Sequence, residues 1–346
     1  MKNGPMDSPV IIVGAGLSGL VAANALQAAG RRAVVLDKGR SAGGRLATRR
    51  LGAPAVVGAG QRGVARVDHG AQFFTVRSPD FADLVHEWRR AGLIREWCQG
   101  FSAEGDGYPR YCAEGGMNTI AKYLASTIDV QCDVMVRAVA GDEGTLSVLA
   151  ESGQRWESAQ VVLSAPVPQS LALIDNGWLP LDEDLRTELD AVSYAKCIAL
   201  LVALDGPANV AEPGGMQFDE STHAVWSFIG DNHRKGISEI PAITFHANET
   251  FSETHYGDDD AGLRDTLIAA ARPFLGSAST LSIEVKKWRY ARPTALHAQR
   301  CVSAQPIEGT QLVLCGDAFG EARVEGAALS GLAAAEALLE SSSYFS

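Results

Sequence analysis

The 346-residue chain lacks most motifs that announce a chemistry directly. It has no H-E-x-x-H and no P-loop. Zincin and P-loop nucleotidase plans are therefore excluded, and no metal site is expected. No run approaches the ~18 apolar residues that span a bilayer. The longest candidates, 197–204 and 161–166, are strand-sized. Positive charge is also scarce: 30 Lys and Arg face 41 Asp and Glu, a net charge of −11, with no basic stripe. That argues against a nucleic-acid partner. The six cysteines, at 98, 112, 132, 197, 301 and 315, include no C-x-x-C pair. Redox-dithiol and zinc-knuckle readings fail on that spacing. Cys197 and Cys315 sit in apolar runs and read as reduced core thiols. Residues 1–9 carry no long apolar signal core. With reduced thiols, the expected location is the cytoplasm.

What is abundant is glycine, 36 residues, in clusters. The chain is long for one core, so two lobes are expected. Val10-Ile11-Ile12-Val13 reads as a buried parallel strand. Gly14-Ala15-Gly16-Leu17-Ser18-Gly19 follows, then an Ala-rich helical stretch ending at Gly30. Ala33-Val34-Val35-Leu36 is a second strand and ends at Asp37. This strand–turn–helix–strand unit binds dinucleotides. Gly14 permits the tight turn, Gly16 lets a pyrophosphate approach the backbone, and Gly19 lets helix and sheet pack closely. The free N–H groups at the helix start attract phosphate, and Asp37 accepts hydrogen bonds from a ribose diol. A second such unit is absent.

Two further motifs point to FAD. Gly43-Gly44-Arg45 follows the acidic strand end. It resembles the second signature of glutathione-reductase-type flavoproteins, most of all their amine-oxidase branch, where the Arg steadies the pyrophosphate and ribityl region. Near the other end, a strand-like run at 311–314 precedes Gly316-Asp317 and a Gly-flanked helix start, Glu325-Gly326-Ala327. That arrangement again reads as an anion site. The resemblance gives Asp317 a ribityl hydroxyl. It also directs the helix end at the flavin pyrimidine, stabilising negative charge there by up to ~2 kcal/mol.

Asp68-His69-Gly70-Ala71-Gln72-Phe73-Phe74-Thr75, Gly115-Gly116-Met117-Asn118, Trp288-Arg289-Tyr290-Ala291-Arg292-Pro293 and Arg323-Val324-Glu325-Gly326-Ala327 extend the pattern nearly end to end. Together they resemble the renalase family, its bacterial form in particular. The resemblance implies an α/β fold. A Rossmann-like FAD-binding domain of the p-hydroxybenzoate-hydroxylase type, 1–75, 108–168 and 288–346, interleaves with an α+β substrate domain on a mixed or antiparallel sheet, 76–107 and 169–287. It implies non-covalent FAD held by Gly14, Gly16, Leu17, Ser18, Gly19, Asp37, Lys38, Gly44, Arg45, His69, Gly70, Ala71, Gln72, Phe73, Val136, Gly316, Asp317, Glu325, Gly326 and Ala327. It further implies oxidation of 1,2- and 1,6-dihydro isomers of NAD(P) to NAD(P)⁺, with O₂ reduced to H₂O₂. Such hydride transfer needs no proton abstraction, so ring placement supplies most of the catalysis. A monomer or weak dimer, with no membrane partner, is expected.

Candidate substrate contacts are Trp288, Tyr290 and Arg292, with His246, and Trp226 and Phe228 on one face of a strand by its period of two. Gln72 and Phe74 share a face by the same rule. Each has a packing alternative: a domain interface, a satisfied sheet histidine, or ordinary core. Lys196 discriminates between readings. Amine oxidases commonly set a lysine near flavin N5, and Lys196 stands where a substrate-domain strand begins. An FAD-dependent amine or amino-acid oxidase is the first alternative, and a non-catalytic flavin-binding protein the second. Periodicity further predicts helices over 78–97 and 115–126 and a β-meander over 129–159.

Overall fold

The computed structural model describes residues 8–57, 61–101 and 107–342. The chain divides into two compact units, crossing between them repeatedly. The first is drawn from Met1–Gly44, Ala121–Ser193 and Arg292–Ser346, the second from Arg45–Ile120 and Tyr194–Ala291.

The first unit is built on a six-stranded sheet, in the order Val302–Ala304, Gln311–Leu314, Gln160–Leu163, Val10–Val13, Ala33–Leu36, Asp129–Gln131. Every neighbouring pair is parallel except the first. Its central strands are buried on both faces, which is why they read as unbroken apolar runs. Helix Leu17–Ala28 packs against helix Arg323–Ser342, and Gly331 makes the approach possible: a Cβ there would stand 2.4 Å from the Ser18 carbonyl oxygen. A meander of Val136–Asp142, Thr145–Ala150 and Arg155–Ser158 completes this unit's strands. Glu143 and Gly144 both have positive φ, as a two-residue hairpin turn demands.

The second unit holds an antiparallel sheet ordered Gly215–Gln217, Trp226–Asp231, Ala242–Ala247, Ser193–Leu204, Thr280–Ala295. One face carries Ile198, Leu200, Val202, Trp226, Ile229 and Phe245 against helix Asp260–Leu275. The other carries Ala199, Leu201, Ala203 and Ala242 against the hairpin Thr48–Val57 and Gln61–Asp68, through Leu51, Ala65 and Val67. Alternation along each strand sets these two faces. The fold is thus the expected pairing of a Rossmann-like parallel sheet with a separate antiparallel one.

One expectation is corrected. The helix predicted over 78–97 is Pro79–Arg90, capped by Ser78 Oγ and ended by Gly92 at φ +68°. Ile94–Cys98 is instead a strand paired with Arg110–Ala113. The two compact units divide the chain at other points than the expected segments do. Residues 45–75 and 108–120 fall in the second unit, because the 48–68 hairpin buries its apolar face on the antiparallel sheet. Residues 169–193 fall in the first. Helix Val167–Asn176 packs on strand Val136–Asp142, where a Cβ at Gly177 would lie 1.9 Å from the Val139 carbonyl oxygen.

Candidate functional site

In the first unit the glycine motif after strand Val10–Val13 forms a tight turn. Gly14, at φ +112°, turns the chain out of its strand, and its N–H donates to the Leu36 carbonyl at 2.8 Å. A Cβ on Gly19 would stand 2.1 Å from the Gly14 carbonyl oxygen, so helix and turn touch there. A Cβ on Gly16 would meet nothing within 4 Å, leaving open space over the backbone. Asp37 braces this turn: one carboxylate oxygen accepts the Ala15 N–H and the other the Gly39 N–H, each at 2.6 Å. The second glycine pair joins it. Gly43 N–H donates to the Ala15 carbonyl at 2.8 Å, and a Cβ on Gly44 would lie 3.3 Å from Gly16 Cα. Leu17 and Ser18 are buried at the helix start, Val136 is buried, and Lys38 is exposed. At the far end of the chain, Gly316 has φ +148° and its N–H donates to Ser330 Oγ at 2.8 Å. Gly326 sits so close to the Glu321 carbonyl that any side chain would overlap it; in the same helical turn Glu325 is buried and Ala327 half-buried. The open backbone at Gly16 and the braced carboxylate of Asp37 fit the pyrophosphate and ribose of FAD. Bound there, FAD supplies a hydride acceptor.

The second unit contains a polar and aromatic cluster around Asp68. Asp68 is fully buried. Its carboxylate pairs with Lys235 Nζ at 2.6 Å, also fully buried, and accepts Thr48 Oγ1–H at 2.5 Å and Met117 N–H at 2.8 Å. Its carbonyl accepts Gln72 Nε2–H at 2.6 Å and Thr244 Oγ1–H at 2.7 Å. Gln72 is thereby pinned by its nitrogen, and its buried Oε1 has no partner. A Cβ on Gly230 would lie 3.2 Å from that oxygen, so the glycine keeps it clear. His69 stacks on Trp288 with ring centroids 5.3 Å apart and planes at 21°. Trp288 Nε1–H donates to the His69 carbonyl at 2.8 Å. His69 Nδ1 and His246 Nε2 are likewise buried without partners. His246 packs on Phe228 at 6.2 Å, and Phe228 on Phe73 and Phe101.

Burial, then the charges of Arg49 and Lys286, pull the His69 pKa down to about 3. Burial alone dominates at His246, pulled to about 4, although a hydrogen bond to the His69 backbone pushes the other way. Both rings are neutral at physiological pH. Between the ordinary value of 6.5 and these values, the unfolded chain binds protons that the folded chain refuses. Stability therefore falls as pH drops through that window, by up to about 1.4 kcal/mol per pH unit for each histidine. Urea denaturation of wild type and His246→Phe should show their stability difference shrinking or inverting from pH 6.5 to 4. A pH-independent difference would contradict a neutral His246.

The structure brings His69, Gln72, Phe73, His246 and Trp288 together, and it separates other candidates. Trp226 and Phe228 do not share a face. A β-bulge at Ser227 turns Trp226 into the helix-covered core, where its Nε1–H donates to the Ala270 carbonyl. Gln72 and Phe74 diverge because the segment is irregular rather than a strand; Phe74 packs among Phe81, Trp88 and Tyr111. Lys196 is on the face opposite His246, paired with Glu253 at 2.6 Å and seated over Tyr256. The strand's alternation decides this, since Ala199 registers with His246 and Lys196 has opposite parity. Tyr290 stacks edge-on against Tyr194, its carbonyl accepting from Arg45 Nη1–H at 3.3 Å. Arg292 is exposed. Gly70 packs with its Cα hydrogen facing the Arg45 carbonyl, and Ala71 N–H donates to the same oxygen at 2.8 Å. Lys235 escaped sequence reasoning altogether: in Asp231-Asn232-His233-Arg234-Lys235 it looks like a solvated turn.

Among the described residues, no helix is long and apolar enough to cross a membrane, and no cluster of His, Cys, Asp and Glu could hold a metal. Comparison with known proteins agrees with this architecture. Residues 12–88 match an NAD(P)-binding Rossmann-like domain, and residues 92–339 match the flavin-containing amine oxidoreductase family. Among solved structures, putrescine oxidase bound to putrescine is similar at a TM-score of 0.62 and 16% identity, with 96% of this chain and 99% of that one covered. A candidate protoporphyrinogen oxidase from Exiguobacterium sp. 255-15 is similar at 0.70 and 12%, with the same coverage. A fatty acid isomerase from P. acnes, which produces CLA, is similar at 0.65 and 13%, covering 97% and 99%. At these identities the structures speak for the fold alone. The family match spans more than half of the sequence, and the chain belongs to the flavin-containing amine oxidoreductase family, as one of its FAD-dependent oxidoreductases.

Proposed function

We propose that the chain is a renalase-like oxidase, converting 1,2- and 1,6-dihydro isomers of NAD(P) to NAD(P)⁺. One observation carries this reading. Three neutral, unpartnered polar atoms, His69 Nδ1, Gln72 Oε1 and His246 Nε2, border stacked aromatic rings. Buried polar atoms without partners are costly unless a ligand satisfies them. A flat dihydropyridine carrying a carboxamide offers both a donor and an acceptor, together with a face to stack. The product ring is aromatic and no proton need be removed, so neutral groups suffice. The overall reaction is dihydro-NAD(P) + O₂ + H⁺ → NAD(P)⁺ + H₂O₂. Trp288, held by the His69 carbonyl, orients the ring, and Gln72 fixes its rotation. FAD is held without a covalent bond in this reading: Cys315 is fully buried, and its thiol is pushed far above its ordinary pKa. A cytoplasmic monomer or weak dimer, acting with O₂ and without nucleic acid, completes it.

Amine or amino-acid oxidation is the second reading, and the family match speaks for it directly. Against its usual form stands Lys196, which is paired with Glu253 on the opposite sheet face. Anaerobic mixing separates the two. The dihydronicotinamide isomers are expected to bleach the oxidised-flavin band and release NAD(P)⁺, while putrescine and amino acids leave it unchanged. The opposite pattern would replace the first reading with the second.

A further inference from the structure

Strand Thr280–Ala295 alternates between two environments. Ile283 and Val285 pack on the helix-covered core, so Glu284, Lys286 and Trp288 point to the other face, that of His246. Glu284 is taken by Arg49, with N–O 3.0 Å. Lys286 makes neither a hydrogen bond nor an ion pair with any described residue. Its ammonium stands 5.3 Å from the centroid of Trp288, the ring that stacks on His69. Trp288 is itself fixed by its bond to the His69 carbonyl.

The charges around this column sum simply. His69 and His246 are neutral, Asp68 is matched by Lys235, and Glu284 is matched by Arg49. Among the described residues, Lys286 has no carboxylate partner. The field it sets up with Arg49 is felt at His69, whose protonation both disfavour. A cation held over an aromatic face keeps N–H donors free for a ligand.

We infer that Lys286 is an anion subsite of the His69–Gln72–His246 cluster: its ammonium takes a phosphate oxygen of the substrate. The same charge repels cationic amines. This role rests on the dihydronicotinamide reading above and adds to it the group that selects a phosphorylated substrate. Lysine suits the task as a compact point charge, and a partly buried charge-assisted hydrogen bond has the strength to set affinity.

The FAD-loaded protein tests it with two substrates, a 1,2-dihydro-NAD(P) isomer and a phosphate-free dihydro-N-methylnicotinamide. Lys286→Met is expected to raise KM for the phosphorylated substrate by about 10-fold, and Lys286→Glu by more. KM for the phosphate-free ring should stay within about twofold of wild type, a difference of a few tenths of a kcal/mol. Lys286→Arg should restore most of the loss. Added NaCl should raise the wild-type KM for the phosphorylated substrate only, because the pair is partly exposed to screening. Equal effects on both substrates would mean that Lys286 merely props Trp288. No effect on either would mean that it meets no ligand. Both results overturn the subsite while leaving dihydronicotinamide oxidation standing. A protein that bleaches with amines and with neither dihydropyridine overturns both.

Discussion

Gly19→Ala is expected to give a protein that purifies with at most about a tenth of the wild-type flavin content. The added Cβ would stand 2.1 Å from the Gly14 carbonyl oxygen and 2.7 Å from Ser164 Oγ. Neither neighbour can withdraw cheaply. Gly14 is tied to Leu36 through its N–H, and its carbonyl accepts Ser164 Oγ–H at 2.9 Å. Helix Leu17–Ala28 must therefore shift against the turn. Overpacking of this kind costs about 1–3 kcal/mol, and the open backbone at Gly16 is displaced with it. A cradle misplaced at that cost loses about tenfold in affinity per 1.4 kcal/mol. Gly30→Ala is the control. It also has positive φ, +78°, but its Cβ would meet nothing within 4 Å, so flavin should remain bound. The measurement is the ratio of flavin absorbance to protein. A full complement of flavin in Gly19→Ala would show that this contact does not shape the cofactor site.

Lys235→Met should destabilise the protein by about 3–5 kcal/mol, the usual consequence of removing one partner from a buried ion pair. Asp68 and Lys235 are both 0% exposed, so no bulk water replaces the ammonium once it is gone. Thr48 and Met117 would still donate to Asp68, but the oxygen facing Lys235 would be bare. Urea denaturation would register the loss as a lower midpoint. The double variant Asp68→Asn, Lys235→Met should recover much of it, since no charge is left buried. Failure of the double variant to recover would show that the stability resides in lysine packing over Trp97 rather than in the pair. The pair also bears on the site, because the Asp68 carbonyl is what turns Gln72 Oε1 outward.

The nucleotide half of the protein was legible because its signals are local. Gly14, Gly16, Gly19 and Asp37 lie within one strand–turn–helix–strand unit, and backbone geometry alone dictates which residues tolerate those positions. The substrate half was less so. Period-two reasoning paired Trp226 with Phe228 and Gln72 with Phe74, and both pairs separate. One strand has an extra residue at Ser227, and the other segment is not a strand at all. A bulge leaves no reliable mark in a single sequence, yet it inverts every side chain beyond it. Lys196 was read by its place at a strand start, whereas its parity relative to His246 is fixed only by the register with strand Ala242–Ala247.

By itself, then, the sequence determined the parallel-sheet Rossmann-like fold, the turn positions that only glycine tolerates, and the absence of a P-loop or zincin motif. Those properties follow from residues close in the chain, or from residue types that no other conformation suits. The tertiary structure alone decided which side chains meet beneath Trp288, that Lys235 pairs with Asp68, and that Lys286 has no ion-pair partner among the described residues. Asp68 and Lys235 are 167 residues apart in sequence, and Trp288 and His69 are 219 apart. Such contacts depend on sheet register, and burial then sets their charge states, which no local pattern encodes.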